Sequence, residues 1–315
     1  MEILLSAAPS GPATQPLFIS PQVFRCSVGE KSNLGVITCQ TLVWPALPVW
    51  YDDGKCRFDC ALPGGEREMG TKRVWTIAHR GASGHAPENT MAAFRRAVEL
   101  GATFLETDLQ ITRDARIIAI HDFTLDRTTN GKGQVHLLTL EEIRALDAGG
   151  WFGSGASPFS GERVPTLDEI LDFAERNDVI FYLEIKSGPA WGVEHAVVAA
   201  IRDRNASARV VILSFDPAAL DLVHRLDSAL MTGLLCEHPS NDLVERTVRA
   251  GARQLVARGD LITPEMVKKA HHAGLQVVAW TINETEQIQR LIAAGVDGII
   301  SDYPDRVLSI LGEAS

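Results

Sequence analysis

Past residue 60 the chain contains a single cysteine, Cys236. A disulfide framework is thereby excluded for the main body of its 315 residues, and a lone cysteine is more often a small core residue than a nucleophile. No apolar run approaches the ~20 residues that a membrane helix needs, so no integral membrane segment is expected. Positive charge is in short supply: 30 Lys and Arg against 40 Asp and Glu give a formal charge of −10. With no basic stripe to offset that balance, nucleic acid is not expected as a partner. No secretion leader is expected either, because Ile3–Ala8 is short and follows Glu2 instead of a lysine or arginine. The expected compartment is therefore the cytoplasm. What is present, 45% hydrophobic and 22% charged residues, is ordinary for a globular protein.

Residues 1–72 differ from the rest. They hold seven of the fifteen prolines and four of the five cysteines, and they show no sustained helical or strand period. They read as an irregular N-terminal extension, with Met69, five residues before the first apolar strand, as the expected biological start. Cys56 and Cys60 lack a matching pair at a zinc-ribbon distance, so no metal is expected there.

From residue 73 to 315 short β-branched runs alternate with helix-period stretches, the pattern of a parallel α/β fold. The runs are Val74–Ala78, Thr103–Leu109, Ile117–Ile120, Ile180–Ile185, Val210–Ser214, Thr232–Cys236, Gln254–Ala257, Gln276–Thr281 and Gly298–Ser301. Helix starts are marked by Thr139-x-x-Glu142, Thr166-x-x-Glu169 and Asn283-x-x-Glu286, which have the form of capping boxes, by Asn89 or Thr90 as a cap, and by Thr263-Pro264. Nine strands is one too many for an eight-stranded closure. Only Thr112-Arg-Asp-Ala-Arg116 separates the second run from the third, which is far too short for a parallel crossover, so these two form a hairpin. The expected fold is an α/β (β/α)8 TIM-type barrel with a hairpin and an insertion, residues 123–165, after the second strand. With the turn near Asp114, His121 folds back to the level of residue 107.

Side chains that carry chemistry in such barrels project from the C-terminal ends of strands. His79 and Arg80 end the first run; Glu106 and Asp108 share one face of the second, and Glu184 and Lys186 one face of a later one. Three carboxylates converging on one mouth repel unless a cation lies between them, and hard oxygen ligands favour Mg²⁺ or Ca²⁺ over zinc. Such an ion would clamp a phosphate oxygen while Arg80 and Lys186 neutralise the remaining charge. His79 and His121 supply a general acid and a general base at neutral pH. Each fragment alone has a structural explanation; their joint arrival at one barrel face argues for a site. Trp280, ending the seventh barrel strand, is a candidate apolar wall for substrate. His271 and His272 near a helix end are explained by the helix dipole.

His79-Arg-Gly with Pro87-Glu-Asn-Thr90, Glu106-x-Asp108, His121-Asp122, Glu184-Ile-Lys186, Trp280-Thr-Ile-Asn283 and Gly298-Ile-Ile-Ser-Asp-Tyr-Pro304 together resemble the glycerophosphodiester phosphodiesterase family. The resemblance runs from residue 74 to about 310. It implies a metal-binding hydrolase of glycerol and lipid metabolism, converting small-molecule glycerophosphodiesters to sn-glycerol 3-phosphate and an alcohol. It implies His79 and His121 as the catalytic pair, Glu106, Asp108 and Glu184 as ligands of Mg²⁺ or Ca²⁺, and Arg80 and Lys186 as phosphate contacts. Whether water attacks directly, or the glycerol 2-hydroxyl attacks first, is left open. Two other functions fit parts of the pattern. Phospholipase D-type cleavage of lysophospholipid or sphingolipid head groups wants an exposed apolar rim, and a non-catalytic phosphate-ester binding protein needs neither acid nor base. The alcohol head group and the oligomeric state have no diagnostic residues.

N-terminal sequencing of the native protein checks the expected start. A first residue at or near Met69 is anticipated; an end near residue 2 overturns it.

Overall fold

The computed structural model describes residues 51–52, 55–56, 74–186, 188 and 192–313. The chain divides into two units, Met1–Gly70 and Thr71–Ser315. In the first, β1 (Tyr51–Asp52) and β2 (Lys55–Cys56) pair antiparallel. The expected irregularity of residues 1–72, the start at Met69 and the lack of a metal at Cys56 and Cys60 otherwise fall outside the described residues.

The second unit runs β3 (Trp75–Ala78), α1 (Met91–Glu99), β4 (Phe104–Ile111), β5 (Ile117–Ala119), α2 (Leu140–Arg144), α3 (Leu167–Asn177) and β6 (Ile180–Ile185). It continues through α4 (Val193–Asp203), β7 (Val210–Ser214), α5 (Pro217–Leu226), β8 (Met231–Cys236), α6 (Leu243–Arg249) and β9 (Gln254–Arg258). It ends with α7 (Pro264–His272), β10 (Gln276–Trp280), α8 (Thr285–Ala294), β11 (Gly298–Ser301) and α9 (Pro304–Leu311). The strand order is β3-β11-β10-β9-β8-β7-β6-β4, and a β3–β4 pairing closes the ring. Those eight strands are mutually parallel, the (β/α)8 barrel expected from the alternation.

β5 pairs antiparallel with β4, with Leu109 opposite Ala119 and Ile111 opposite Ile117. The hairpin thus forms as the short link requires, and its register extrapolates to residue 121 at the level of residue 107. Ile120 continues it by donating its N–H to the Asp108 carbonyl at 3.0 Å. β3 pairs with the start of β4 and β6 with the opposite edge. β3 and β5 therefore lie on the same edge of β4 and run toward each other. The gap between their ends is where His79 and His121 emerge.

Period-two alternation divides the barrel's apolar residues into two sets. Ile77, Tyr182, Leu213, Val256, Val278 and Ile300 belong to a cluster that fills the barrel. Leu105, Phe181, Leu183, Ile212, Leu234 and Ile299 belong to a larger one that packs with the helices. The insertion has a core of its own, built on Ile118 and Ile120 with Leu125, Val135, Ile143 and Val164.

The capping boxes at Thr139/Glu142 and Thr166/Glu169 are formed, Thr90 caps α1, and Thr263 caps α7 with proline at its start. The one at Asn283 is not. Helix α8 has Glu284 at its N-cap without a side-chain cap bond, because the Asn283 side chain is engaged by Ser301 and Asp302.

Phe181 is fully buried and meets the Phe94 ring edge-on at 5.1 Å and the Phe173 ring at 6.3 Å, joining α1 and α3 to the barrel wall. Phe181→Ala is expected to lower the unfolding free energy by roughly 3–5 kcal/mol, through lost burial and the cavity left behind. Urea denaturation measures this, and a loss below about 1 kcal/mol would contradict the packing described.

Candidate active site

The acidic centre is set by strand register. Glu106 and Asp108 face the barrel mouth from β4, and Asp108 lies opposite Glu184 on β6. All three are buried, and each offers an oxygen within 4.8 Å of the others. Lys186, one residue past β6, places Nζ 2.9 Å from Asp108 Oδ1 and 2.7 Å from Glu184 Oε1. Neither of those oxygens accepts a well-directed hydrogen bond. Oxygens so placed suit a hard divalent cation.

The loop after β3 is shaped around this centre. Arg80 takes a left-handed φ of +53°, uncommon for a side-chain-bearing residue, and its N–H donates to Glu106 Oε2 at 2.9 Å. Gly81 follows at φ +80°, and a Cβ there would lie 2.6 Å from the carbonyl carbon of Ala93, so only glycine fits. Asn89, also left-handed, donates to Asp108 Oδ2 at 2.8 Å and accepts from the Thr107 hydroxyl at 2.7 Å. The Arg80 guanidinium contacts Glu88 at 2.7 Å and Asp108 at 3.2 Å. Arg80 and Lys186 thus both lie against carboxylates.

The two histidines face this centre from opposite sides of the strand gap. His79 Nδ1 is 2.6 Å from Asp302 Oδ1, while Nε2 is 3.9 Å from Glu106 Oε2. His121 Nδ1 is 2.7 Å from Asp122 Oδ1. Gln110, buried on the inward face of β4, directs its amide at the carbonyls of Ile120, His121 and Asp122 (2.7–3.1 Å) and holds the bend that carries His121. Arg127 of the insertion binds both Asp122 and Glu88.

Burial, followed by the fields of Asp108 and Glu184, pushes Glu106 well above the carboxylate range. Burial and then Asp108 raise Glu184 to about 7. Burial also opposes ionisation of Asp108, but Arg80 and Lys186 outweigh it and hold that carboxyl low. Burial, with Arg80 and Lys186, lowers His121 against the opposing pull of Asp108.

Of the residues singled out from sequence, His79, Arg80, Glu106, Asp108, His121, Glu184 and Lys186 come together here. Trp280 occupies another arc of the mouth, its ring 5.5 Å from that of Phe215 and its indole N–H on the Val256 carbonyl. His271 lies elsewhere, 2.8 Å from Asp297. Sequence reasoning missed Gln110, quoted Asp302 only within the Gly298–Pro304 motif without a role, and gave Asn283 a cap. One signal was available for Asp302: Gly298, Ile300 and residue 302 share one parity, and Ser301 pairs with Ala78, so Asp302 stands beside His79.

Residues 79–306 match the Glycerophosphoryl diester phosphodiesterase family. Among curated proteins, the glycerophosphodiester phosphodiesterase of Caldanaerobacter subterraneus is 42% identical over 241 residues, covering 76% of this chain and 98% of that protein. A solved Oleispira antarctica phosphodiesterase, in complex with the product sn-glycerol-3-phosphate, superposes with a TM-score of 0.69 at 30% identity, covering 76% of this chain and 96% of that one. The glycerophosphodiester phosphodiesterase of Agrobacterium tumefaciens gives 0.66 at 27% identity, with 75% and 100% covered.

Between about pH 4.5 and about 7 the folded chain keeps a proton on Glu184 that the unfolded chain has released. The folded state then binds more protons, so this group's contribution to stability falls as pH rises through that window. In EDTA, the wild type is expected to lose stability relative to Glu184→Gln between pH 5 and 7.5, and Mg²⁺ or Ca²⁺ to restore it. Parallel denaturation curves of the two proteins at both pH values would contradict this.

Proposed function

The chain belongs to the glycerophosphoryl diester phosphodiesterase family and is an enzyme of glycerophosphodiester hydrolysis; we propose that it yields sn-glycerol 3-phosphate and an alcohol by cation-assisted acid/base catalysis at His79 and His121. The observation that carries this reading is the arrangement of three buried carboxylates between two carboxylate-held histidines, with two carboxylate oxygens lacking a well-directed donor.

Glu106, Asp108 and Glu184 would hold the cation. A Mg²⁺ or Ca²⁺ ion held there would supply Lewis-acid stabilisation of phosphoryl charge. Lys186 and Arg80 stabilise the negative charge that grows on the phosphoryl oxygens, as fixed cations in a partly water-excluded site. One histidine takes the proton of the attacking oxygen as the new P–O bond forms. The other delivers a proton to the alcohol oxygen as its bond to phosphorus breaks. With Nδ1 held by Asp302 and Asp122, Nε2 is the ring nitrogen left for that exchange. Trp280 and Phe215 offer an apolar surface for the carbon skeleton of the substrate.

Among the described residues no helix is long and apolar enough to cross a membrane.

The test is release of glycerol 3-phosphate from glycerophosphocholine by the full chain. Release is expected with Mg²⁺ or Ca²⁺, to cease in EDTA, and to fall on the order of 10²–10⁴-fold in His79→Ala and in His121→Ala. Cleavage of lysophospholipid in place of glycerophosphocholine would transfer the site to a phospholipase D-type reaction. Undiminished release in either histidine variant would remove that residue from the mechanism.

A further inference from the structure

We propose that Asp302 is the positioning residue for His79, fixing the tautomer in which Nδ1 carries the proton and Nε2 presents its lone pair to the acidic centre. The proposal rests on the phosphodiesterase reading above. Its basis is the way the end of β11 is built.

Parallel pairing of β3 with β11 sets Ser301 beside Ala78, and His79 donates its backbone N–H to the Ser301 carbonyl at 2.9 Å. One residue further on, the two side chains meet through Nδ1 and Oδ1 at 2.6 Å. An ionised carboxylate can only accept, so the proton of that contact belongs to Nδ1 and the neutral ring has its lone pair on Nε2. Nε2 is the atom that points toward Glu106, 3.9 Å away.

The carboxylate itself is immobilised. The Ser83 hydroxyl donates to Oδ1 at 2.8 Å, and Asn283 Nδ2 donates to Oδ2 at 2.6 Å. Asn283 is held in turn, its Oδ1 accepting from the Asp302 N–H and the Ser301 hydroxyl at 3.0 Å each. Asn283 thus contributes to the site at one remove, while helix α8 starts without its side-chain cap.

The second histidine is held differently. Asp122, on His121 Nδ1, is also paired with the Arg127 guanidinium at 2.8 Å. For Asp302 the donors are a hydroxyl, an amide and the imidazole, and His79 is its ion-pair partner among the described residues. The Asp302 charge therefore acts on His79 without an arginine to share it. A carboxylate so placed orients the ring through its bond to Nδ1. Its loss should reduce kcat and spare KM.

The test uses the full chain with ¹⁵N-labelled histidine, at a pH where His79 is neutral, the resonance being assigned by its disappearance in His79→Gln. Wild type is expected to show a protonated Nδ1 and an unprotonated Nε2. Asp302→Asn is expected to shift the proton toward Nε2, and to lower kcat on the order of 10–100-fold with KM within about two-fold. Asn283→Ala should lower kcat less, with the tautomer kept. A wild-type ring protonated on Nε2 overturns the proposal, and so does an Asp302→Asn enzyme with unchanged kcat or a loss confined to KM. The wild-type spectrum decides the matter even if the variant fails to fold. A wild type with the expected tautomer that releases no glycerol 3-phosphate would overturn the proposed function instead.

Discussion

Three carboxylates buried within 4.8 Å of one another set the electrostatic problem that the rest of the mouth answers. Two unit charges at that separation repel by about 3 kcal/mol at an effective dielectric constant near 20. The chain meets this with Lys186 between Asp108 and Glu184, the Arg80 guanidinium on Asp108, and the Arg80 N–H on Glu106. Burial, and after it the repulsion that remains, raises the proton affinity of Glu106 and Glu184. The left-handed turn at Arg80 and the glycine behind it follow from the same need, since they aim a backbone donor at a buried carboxylate. Strain and buried charge are tolerated together because β4 and β6 hold the carboxylates rigidly in register.

How much of this was legible in the sequence depended on the range of the signal. Strand parity is local, so Glu106 with Asp108 and Glu184 with Lys186 were readable as inward pairs. The five-residue link after Ile111 was enough to bring His121 back beside them. Partners far apart in sequence were a different matter. His79 and Asp302 are 223 positions apart, and they meet only because the last strand closes on the first. Asn283 shows how a local motif misleads: Asn-x-x-Glu has the form of a cap, but the tertiary partners Ser301 and Asp302 claimed the side chain. Arg80 also lies against Glu88 and Asp108, a pairing that no spacing rule announces.

The insertion is tied to the site through Arg127, which clasps Asp122 beside His121 and Glu88 beside Arg80. Two histidines with the same Nδ1 arrangement thus depend on different parts of the fold. One is held by the closing strand of the barrel, the other by an excursion that packs around its own small core.

The hairpin has a consequence for which changes of length the chain can absorb. Because β3 and β5 approach each other along one edge of β4, the hairpin works as a ruler whose two arms must match. Lengthening both arms by equal numbers of residues leaves His121 at the level of Thr107. One residue added to a single arm slides the return strand by a step and turns its side chains to the opposite face. Ile118 and Ile120 would then leave the insertion core while His121 left the gap, so folding and chemistry would fail together. Even, symmetric growth at the tip and intolerance of odd growth in either arm are thus written into the ladder.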